Sequence, residues 1–274
     1  MDNNPLRQYF RRPAVYIKLP SGGSDYPEGA IDMPESGELP VYPMTAIDEI
    51  TTRTPDALYN GTALIELIKS CIPNIKDPWS VSSNDMDAIL IAMKAASGSE
   101  VMEIESECPK CREVNQYGIN LIGILSTLKP GDYDSLLQFG DLSFKFRPLR
   151  YKEINNAALG QFELQKVFQQ LANTEDDEEK NRISKDALER LTLLTMDLVA
   201  KTIEYIQTPT LKVTEFEFIV DFLKSCDRNT YVKLRDHNAE VKASAEIKPL
   251  QMKCVECENE YEQVFTLSPV DFFE

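Results

Sequence analysis

Residues 107–117 read ECPKCREVNQY, and residues 253–263 read KCVECENEYEQ. Each is a Cys-x-x-Cys pair inside a polar segment that alternates like a strand. Together they take Cys108, Cys111, Cys254 and Cys257, four of the six cysteines. A tight turn carrying Cys-x-x-Cys offers two thiolates, and a tetrahedral zinc site needs four ligands. The two turns are too far apart in sequence to form one local ribbon. The chain therefore has to fold so that two distant β-hairpin knuckles face each other. A zinc held by four cysteines has no open coordination position, so such a site is structural and not catalytic.

Other uses of these cysteines are weaker. A redox-active Cys-x-x-Cys usually sits at a helix N-terminus, whereas strands flank both pairs here. Structural disulfides are rare in the cytosol. Four free thiols are the remaining alternative. Structural zinc contributes on the order of 10–16 kcal/mol in small peptides; a disulfide closing so long a loop would contribute about 5 kcal/mol. Lys110, Arg112 and Lys253 stand beside the cysteines and are suited to offset the negative charge of four thiolates around one zinc.

Composition narrows the rest. The chain has 274 residues, 42% hydrophobic and 27% charged, which suits a soluble globular protein with a sizeable core. No apolar run approaches the roughly 20 residues of a membrane span, and the N-terminal segment has no signal-peptide core. A cytosolic protein is the default expectation. A net charge of −16 repels nucleic acid, whose affinity depends on Lys and Arg. Arg7, Arg11 and Arg12 form a local basic cluster, read as a solvated or protein-contact patch. The one histidine, His237 in LRDHNAE, reads as exposed and belongs to no catalytic constellation. The stretch LPSGG lacks the Lys-Ser/Thr of a phosphate loop and reads as a strand-ending turn. No catalytic residue and no cofactor loop is identified, and the expectation is a protein that is not an enzyme.

Along the chain, AVYIKL at 14–19 predicts a strand. The Gly/Pro-rich stretch 20–44 predicts an ordered arm lying over the surface. Thr45 predicts the cap of a helix from about 46 to 53. TPDALYNGTALIELIKSC predicts two short helices, the second with Leu64, Ile65, Ile68 and Cys71 on its apolar face. Ser83 opens another helix that Gly98 stops. DLSFKF predicts a strand. Residues 150–174 and a second segment from Ser184 to about 207 predict an antiparallel helical hairpin, with Leu188, Leu191, Thr195, Leu198 and Thr202 as a core stripe. The run 173–181 reads as a solvated loop or a frayed helix end.

The two halves rhyme. Leu-Ile-Lys-Ser-Cys at 67–71 matches Phe-Leu-Lys-Ser-Cys at 222–226, both downstream of Thr-Pro. YFRRPAVYIK near the start of the first half parallels FKFRPLRYKE near the start of the second. The order strand, helices ending Lys-Ser-Cys, helix, strand, Cys-x-x-Cys, strand occurs twice, which reads as a degenerate duplication. The expected fold is α+β: two pseudo-repeated halves, 1–138 and 139–274, each ending in a β-hairpin zinc knuckle, with a helical hairpin inserted at about 152–207. Cys71 and Cys226 read as plain buried residues on helix faces.

NPLRQYFRRPAVYIKLPSGG, then GELPVYPMTAIDEITTRTPDALYNGTALIELIKSCIPNIKDPW, then CPKC resembles the baseplate protein family of T-even-type (T4-like) contractile-tailed phages, which includes baseplate hub subunits and hub assembly proteins. The resemblance covers about residues 4–120. It implies a non-enzymatic part in building the central hub of a tail baseplate, as a hub subunit or an assembly chaperone. It also implies hub and tape-measure proteins as partners, with homo-oligomerisation left open. The virion tail baseplate is then a second expected location. The competing reading is a zinc-ribbon-type nucleic-acid-associated factor, against which stand the net charge and the acidic residues around the cysteines, Glu107, Glu113, Glu256, Glu258 and Glu260.

Overall fold

A computed structural model of the chain describes residues 5–24, 26–52, 61–98, 100–171 and 176–265. Among them are eight α-helices and ten strands, all strand pairs antiparallel. The fold is mixed α+β. It separates into two compact units, Met1–Pro130 with Ala245–Glu274, and Gly131–Ser244. These units are drawn differently from the halves of the sequence. The last thirty or so residues join the first unit because their Cys pair meets its counterpart there.

In the first unit, β1 (Val15–Ile17) pairs with β2 (Leu39–Val41). Helix α1 (Ala46–Thr52) begins with a reciprocal cap: Asp48 N–H donates to Thr45 Oγ1, and Thr45 N–H donates to Asp48 Oδ2 at 2.7 Å. Residues 53–60, where a further helix is expected, lie outside the described residues. Helix α2 (Thr62–Cys71) buries Leu64, Ile65, Ile68 and Cys71, the face its spacing predicts. Helix α3 (Ser83–Ser97) is buried all round between Ala88 and Met93, so it forms the centre of this unit's core.

The 20–44 stretch is an ordered arm over the surface, pinned to the unit at a few points. Ala30, Leu39 and Val41 are buried, the Ala30 carbonyl accepts from Lys76 and Asp77, and Ile31 bridges to Ile75. Few apolar residues suffice because backbone hydrogen bonds do the rest. The LPSGG turn is fastened from inside. Asp85 of α3 is fully buried and accepts the Ser21 N–H at 2.9 Å and the Ser21 hydroxyl at 2.5 Å. Burial pushes the Asp85 carboxyl above its ordinary range, against the hydrogen bonds from Ser21. Gly22 and Gly23 have positive φ, and a Cβ at Gly23 would come within 2.8 Å of Met33.

Arg11 is not part of a free basic patch. Its guanidinium donates to the Pro43 carbonyl and to both the carbonyl and hydroxyl of Ser70, and lies 3.6 Å from Asp48. It thus caps the carbonyl end of α2, where a cation is favoured. Strands β3 (Val101–Glu107) and β4 (Val114–Asn120) form a hairpin, followed by α4 (Leu121–Thr127), whose first turn is capped by Asn120.

The second unit is built on a four-stranded sheet of β5 (Leu136–Phe139), β6 (Leu142–Phe146), β7 (Ile203–Gln207) and β8 (Lys212–Val213), in that order. Helices α5 (Tyr151–Leu171) and α6 (Asp177–Thr202) intervene between β6 and β7 as the expected hairpin. Helix α6 stops at Thr202, short of the expected end near 207. Ile203 and Ile206 are buried and pair with Phe146 and Phe144 across the sheet, and that strand packing overrides the helical pattern. Its start is also earlier, at Asp177, because Asp176 caps the N–H groups of Glu178 and Glu179 and the acidic run favours a helix N-terminus. Helix α7 (Phe216–Ser225) brings Ile219, Leu223 and Phe222 onto Phe144 and Phe146, and α8 (Arg228–Ala245) adds Leu234. His237 is half-buried, its ring 5.1 Å from that of Phe146, and is not the exposed histidine its polar neighbours suggest. The expected core stripe of α6 is buried only towards its end: Thr202 is buried and Leu198 half-buried, whereas Leu188, Leu191 and Thr195 are exposed. Ala187 and Ala200 are buried as well, and Leu194 lies against Gly160.

Where β6 turns into α5, Arg147 grips Glu153 through two hydrogen bonds of 2.7 and 3.1 Å, and the Arg150 N–H adds a third at 2.8 Å. Burial alone would raise the Glu153 carboxyl, but these bonds outweigh it and hold it below its ordinary value of 4.5. The folded state thus favours ionised Glu153. The contribution is present above that ordinary value and is lost as pH falls through the lower folded one. Glu153→Gln should cost about 1 kcal/mol near neutral pH, after allowance for partial exposure. Urea unfolding over a pH series should show the deficit shrinking towards zero in acid.

Candidate metal centre

The two Cys-x-x-Cys turns adopt one conformation. In the β3–β4 turn, Arg112 N–H donates to the Cys108 carbonyl and Cys108 N–H to the Glu113 carbonyl. In the turn between β9 (Leu250–Lys253) and β10 (Glu260–Gln263), Glu258 N–H donates to Cys254 and Cys254 N–H to Asn259. Arg112 and Glu258, each directly after its second cysteine, have left-handed φ of 62° and 56°. Neither is glycine, so both hairpins hold a turn that costs backbone strain.

The four sulfurs converge. All four lie within 4.8 Å of one another. Across the hairpins, Cys108 Sγ is 3.7 Å from Cys257 Sγ and Cys111 Sγ is 3.5 Å from Cys254 Sγ. A tetrahedron with metal–sulfur bonds of about 2.3 Å has edges of about 3.8 Å. The donor set could therefore hold a metal ion. Cys108 and Cys254 are buried, Cys257 is half-buried and Cys111 is exposed, so the cluster lies at the edge of the unit.

Backbone N–H groups favour the thiolate form at two of the four. Cys108 is lowered, chiefly by the Cys111 backbone N–H and also by that of Lys110. Cys254 is lowered to about 6, chiefly by the Cys257 backbone N–H, with help from Glu256 and the Asn115 amide. At Cys111 the Glu113 N–H alone would lower the thiol, but hydrogen bonding with Cys257, burial and the other two sulfurs push it up to about 12. Four thiolates this close repel one another unless a cation stands among them.

The groups that touch sulfur are not the cations expected from the sequence. Lys110, Arg112 and Lys253 are exposed. Instead, buried Asn115 donates its amide to Cys254 Sγ at 3.6 Å and accepts the Val255 N–H at 3.0 Å. Asn259 reaches from the other hairpin to Cys108 at 4.0 Å. Behind the sulfurs, Tyr117 donates to the Lys253 carbonyl at 2.9 Å, and its hydroxyl lies 3.3 Å from that of Tyr261. Tyr261 donates to Ser106, and Ser106 to Gln263. Hydrogen bonding to Tyr261 is the main cause that raises Tyr117 to about 12. The sequence carried a trace of this stitching: Asn-x-Tyr follows both Cys pairs, at 115–117 and 259–261.

Cys71 and Cys226 stand outside the cluster. Cys71 is fully buried at the end of α2, its thiol pushed up to about 12 by burial and by Asp48. Cys226 is only half-buried, because it falls one residue past the end of α7, where its thiol points back at the Leu223 carbonyl.

Asn115→Ala should lower stability by about 2 kcal/mol, since it strips a sulfur of a donor and leaves the Val255 N–H without its acceptor. Tyr117→Phe, which removes a hydroxyl bonded to Lys253 and Tyr261 at the rim but leaves no buried group stranded, should cost about half as much. Denaturant unfolding of the two variants measures the difference.

A family model described as T4 bacteriophage base plate protein matches residues 30–274. No curated protein and no solved structure matches the chain.

Proposed function

The chain belongs to the T4 bacteriophage base plate protein family, and on that premise we propose that it is a non-enzymatic baseplate hub subunit or hub assembly chaperone. It thus works with other baseplate proteins; the finer assignment rests on the resemblance of the N-terminal segments to hub subunits and hub assembly proteins. Hub and tape-measure components are the proposed partners. The protein is placed in the host cytoplasm during assembly and, if retained, in the tail baseplate. Among the described residues no helix is long and apolar enough to cross a membrane. A net charge of −16 argues against direct nucleic-acid contact. The single observation that carries this reading is the family match, which extends from the region of the N-terminal resemblance to the end of the chain. The test is a phage carrying a knockout of the gene: tails should stall before a complete baseplate forms. Normal, infectious tails would overturn the reading. Mass spectrometry of purified tails against lysate separates a subunit from a chaperone.

The metal proposed for Cys108, Cys111, Cys254 and Cys257 is zinc, in a structural role. Four thiolates at tetrahedral spacing suit zinc, and in a cluster joining two hairpins metal binding is coupled to folding. Protein purified without added metal should contain about one zinc per chain by elemental analysis. Cys108→Ser should lower the melting temperature far more than Cys71→Ser. A metal-free chain that unfolds at the same temperature as the purified protein would sink the assignment.

The duplication is also kept as a proposal, with its halves at 1–138 and 139–274. The like conformation of the two Cys-x-x-Cys turns supports it, and both Lys-Ser-Cys segments end a helix. Against a simple repeat, β1 and β2 form a two-stranded sheet whereas β6 lies in a four-stranded one.

A further inference from the structure

Between helices α6 and α7 of the second unit runs a groove of about 430 Å³ whose floor is Leu193, Leu194, Phe216 and Val220. Arg190, Asp197 and Lys224 complete its lining. Lys201 Nζ stands 5.9 Å from the centre of the Phe216 ring, so the start of α7 lies beside the end of α6. The helices therefore run in opposite directions along the groove, and Arg190 and Lys224 share its far end. From Phe216 to Lys224 the lining of α7 covers about 12 Å, a little over two helical turns.

The shape excludes one kind of occupant. A small-molecule site encloses most of its ligand's surface, whereas here Leu193 is 54% exposed and Arg190 and Lys224 stand open to solvent. A trough of two turns between two helices fits a third helix, whose side chains at i, i+3 and i+4 reach the floor. The charges narrow the sequence of that helix. Asp186 pairs with Arg190 at 3.0 Å, and Asp197 with Lys201 at 2.6 Å. Among the described residues, Lys224 is the one charged residue of the lining with no ion-pair partner. A carboxylate presented there gains a partner, and an ammonium or guanidinium meets like charge. The acidity of the rest of the chain does not decide this contact, because charges more than about 10 Å away are screened at about 0.1 M salt.

We propose, resting on the baseplate reading above, that this groove seats an amphipathic helix of another baseplate protein. The apolar side chains of that helix lie on Leu193, Leu194, Phe216 and Val220, and an Asp or Glu one turn beyond them meets Lys224.

Methyl NMR on the full chain tests this with a blocked, alanine-rich peptide of about 16 residues, long enough to be partly helical. The peptide carries leucines at i, i+3 and i+4 and one Glu at i+7; twins carry Gln or Lys in place of that Glu. The Glu peptide should shift the methyl signals of Leu193, Leu194 and Val220, with a dissociation constant on the order of 1 mM or below. The Lys twin should bind about threefold more weakly at low salt, the effect of one exposed ion pair. Lys224→Glu should reverse that order, and the milder Lys224→Gln should erase it. Phe218→Glu, 61% exposed on α7 but outside the groove lining, should change nothing. Groove methyls silent towards the Glu peptide overturn the proposal, and sodium decanoate shifting them instead marks a small-molecule site. A Lys twin that binds the unaltered chain as tightly as the Glu peptide overturns it too. In phage, Leu193→Glu combined with Lys224→Glu should leave fewer complete baseplates. Normal tails from that variant, where the gene knockout stalls, sink the groove and leave the baseplate reading standing. Normal tails from the knockout sink the baseplate reading, and with it the assignment of the partner.

Discussion

Four sulfurs from two hairpins far apart in the chain come within 4.8 Å of one another, and that approach joins the second hairpin to the first compact unit. The described residues that follow α8 form a two-stranded hairpin. Such a hairpin is marginal in water. It is held by what it touches: Asn115 grips the backbone of the β9–β10 turn, and Tyr117, Tyr261, Ser106 and Gln263 form a hydrogen-bonded row behind the sulfurs. A cation among the thiolates would turn their mutual repulsion into a tie between the two hairpins.

The rest of the first unit gains order in a different way. Its centre is α3, buried on every side, and the irregular 20–44 stretch is laid over that core by a few polar anchors. Asp85 holds the LPSGG turn, and Arg11 holds the N-terminal segment to the carbonyl end of α2. Both use a charged group to satisfy several backbone and hydroxyl partners at once. The second unit relies on packing. Phe144, Phe146, Ile203 and Ile206 form the inner face of its sheet, and the hairpin of α5 and α6 leaves it with much of its length exposed.

These features fit a member of a baseplate protein family. The buried polar groups tie segments together, and Asn115 and Asn259 bring amides to a cysteine cluster that could hold a metal ion.

The sequence by itself determined the α+β class, the helical hairpin, the apolar face of α2 and the cysteines that meet. Each is legible because it rests on local chemistry: a spacing of 3.6, a cap, or a ligand that few residues other than cysteine can replace. The N-terminal segments were also enough to point to the family. What only the tertiary structure decided depends on partners distant in the chain. Ile203–Gln207 carries a helical pattern yet becomes a strand, because β6 offers it phenylalanines to pair with. Arg11 reads as a surface charge until Ser70 and Asp48 are brought beside it. Lys110, Arg112 and Lys253 are the natural charges to set against thiolates, yet the sulfurs are met by Asn115 and Asn259, since an amide can be buried without the desolvation cost of a cation. Leu188 and Leu191 read as core and lie exposed because the close approach of Gly160 to Leu194 sets the seam. Which side of a helix faces its partner is fixed by such contacts, and periodicity alone does not hold that information.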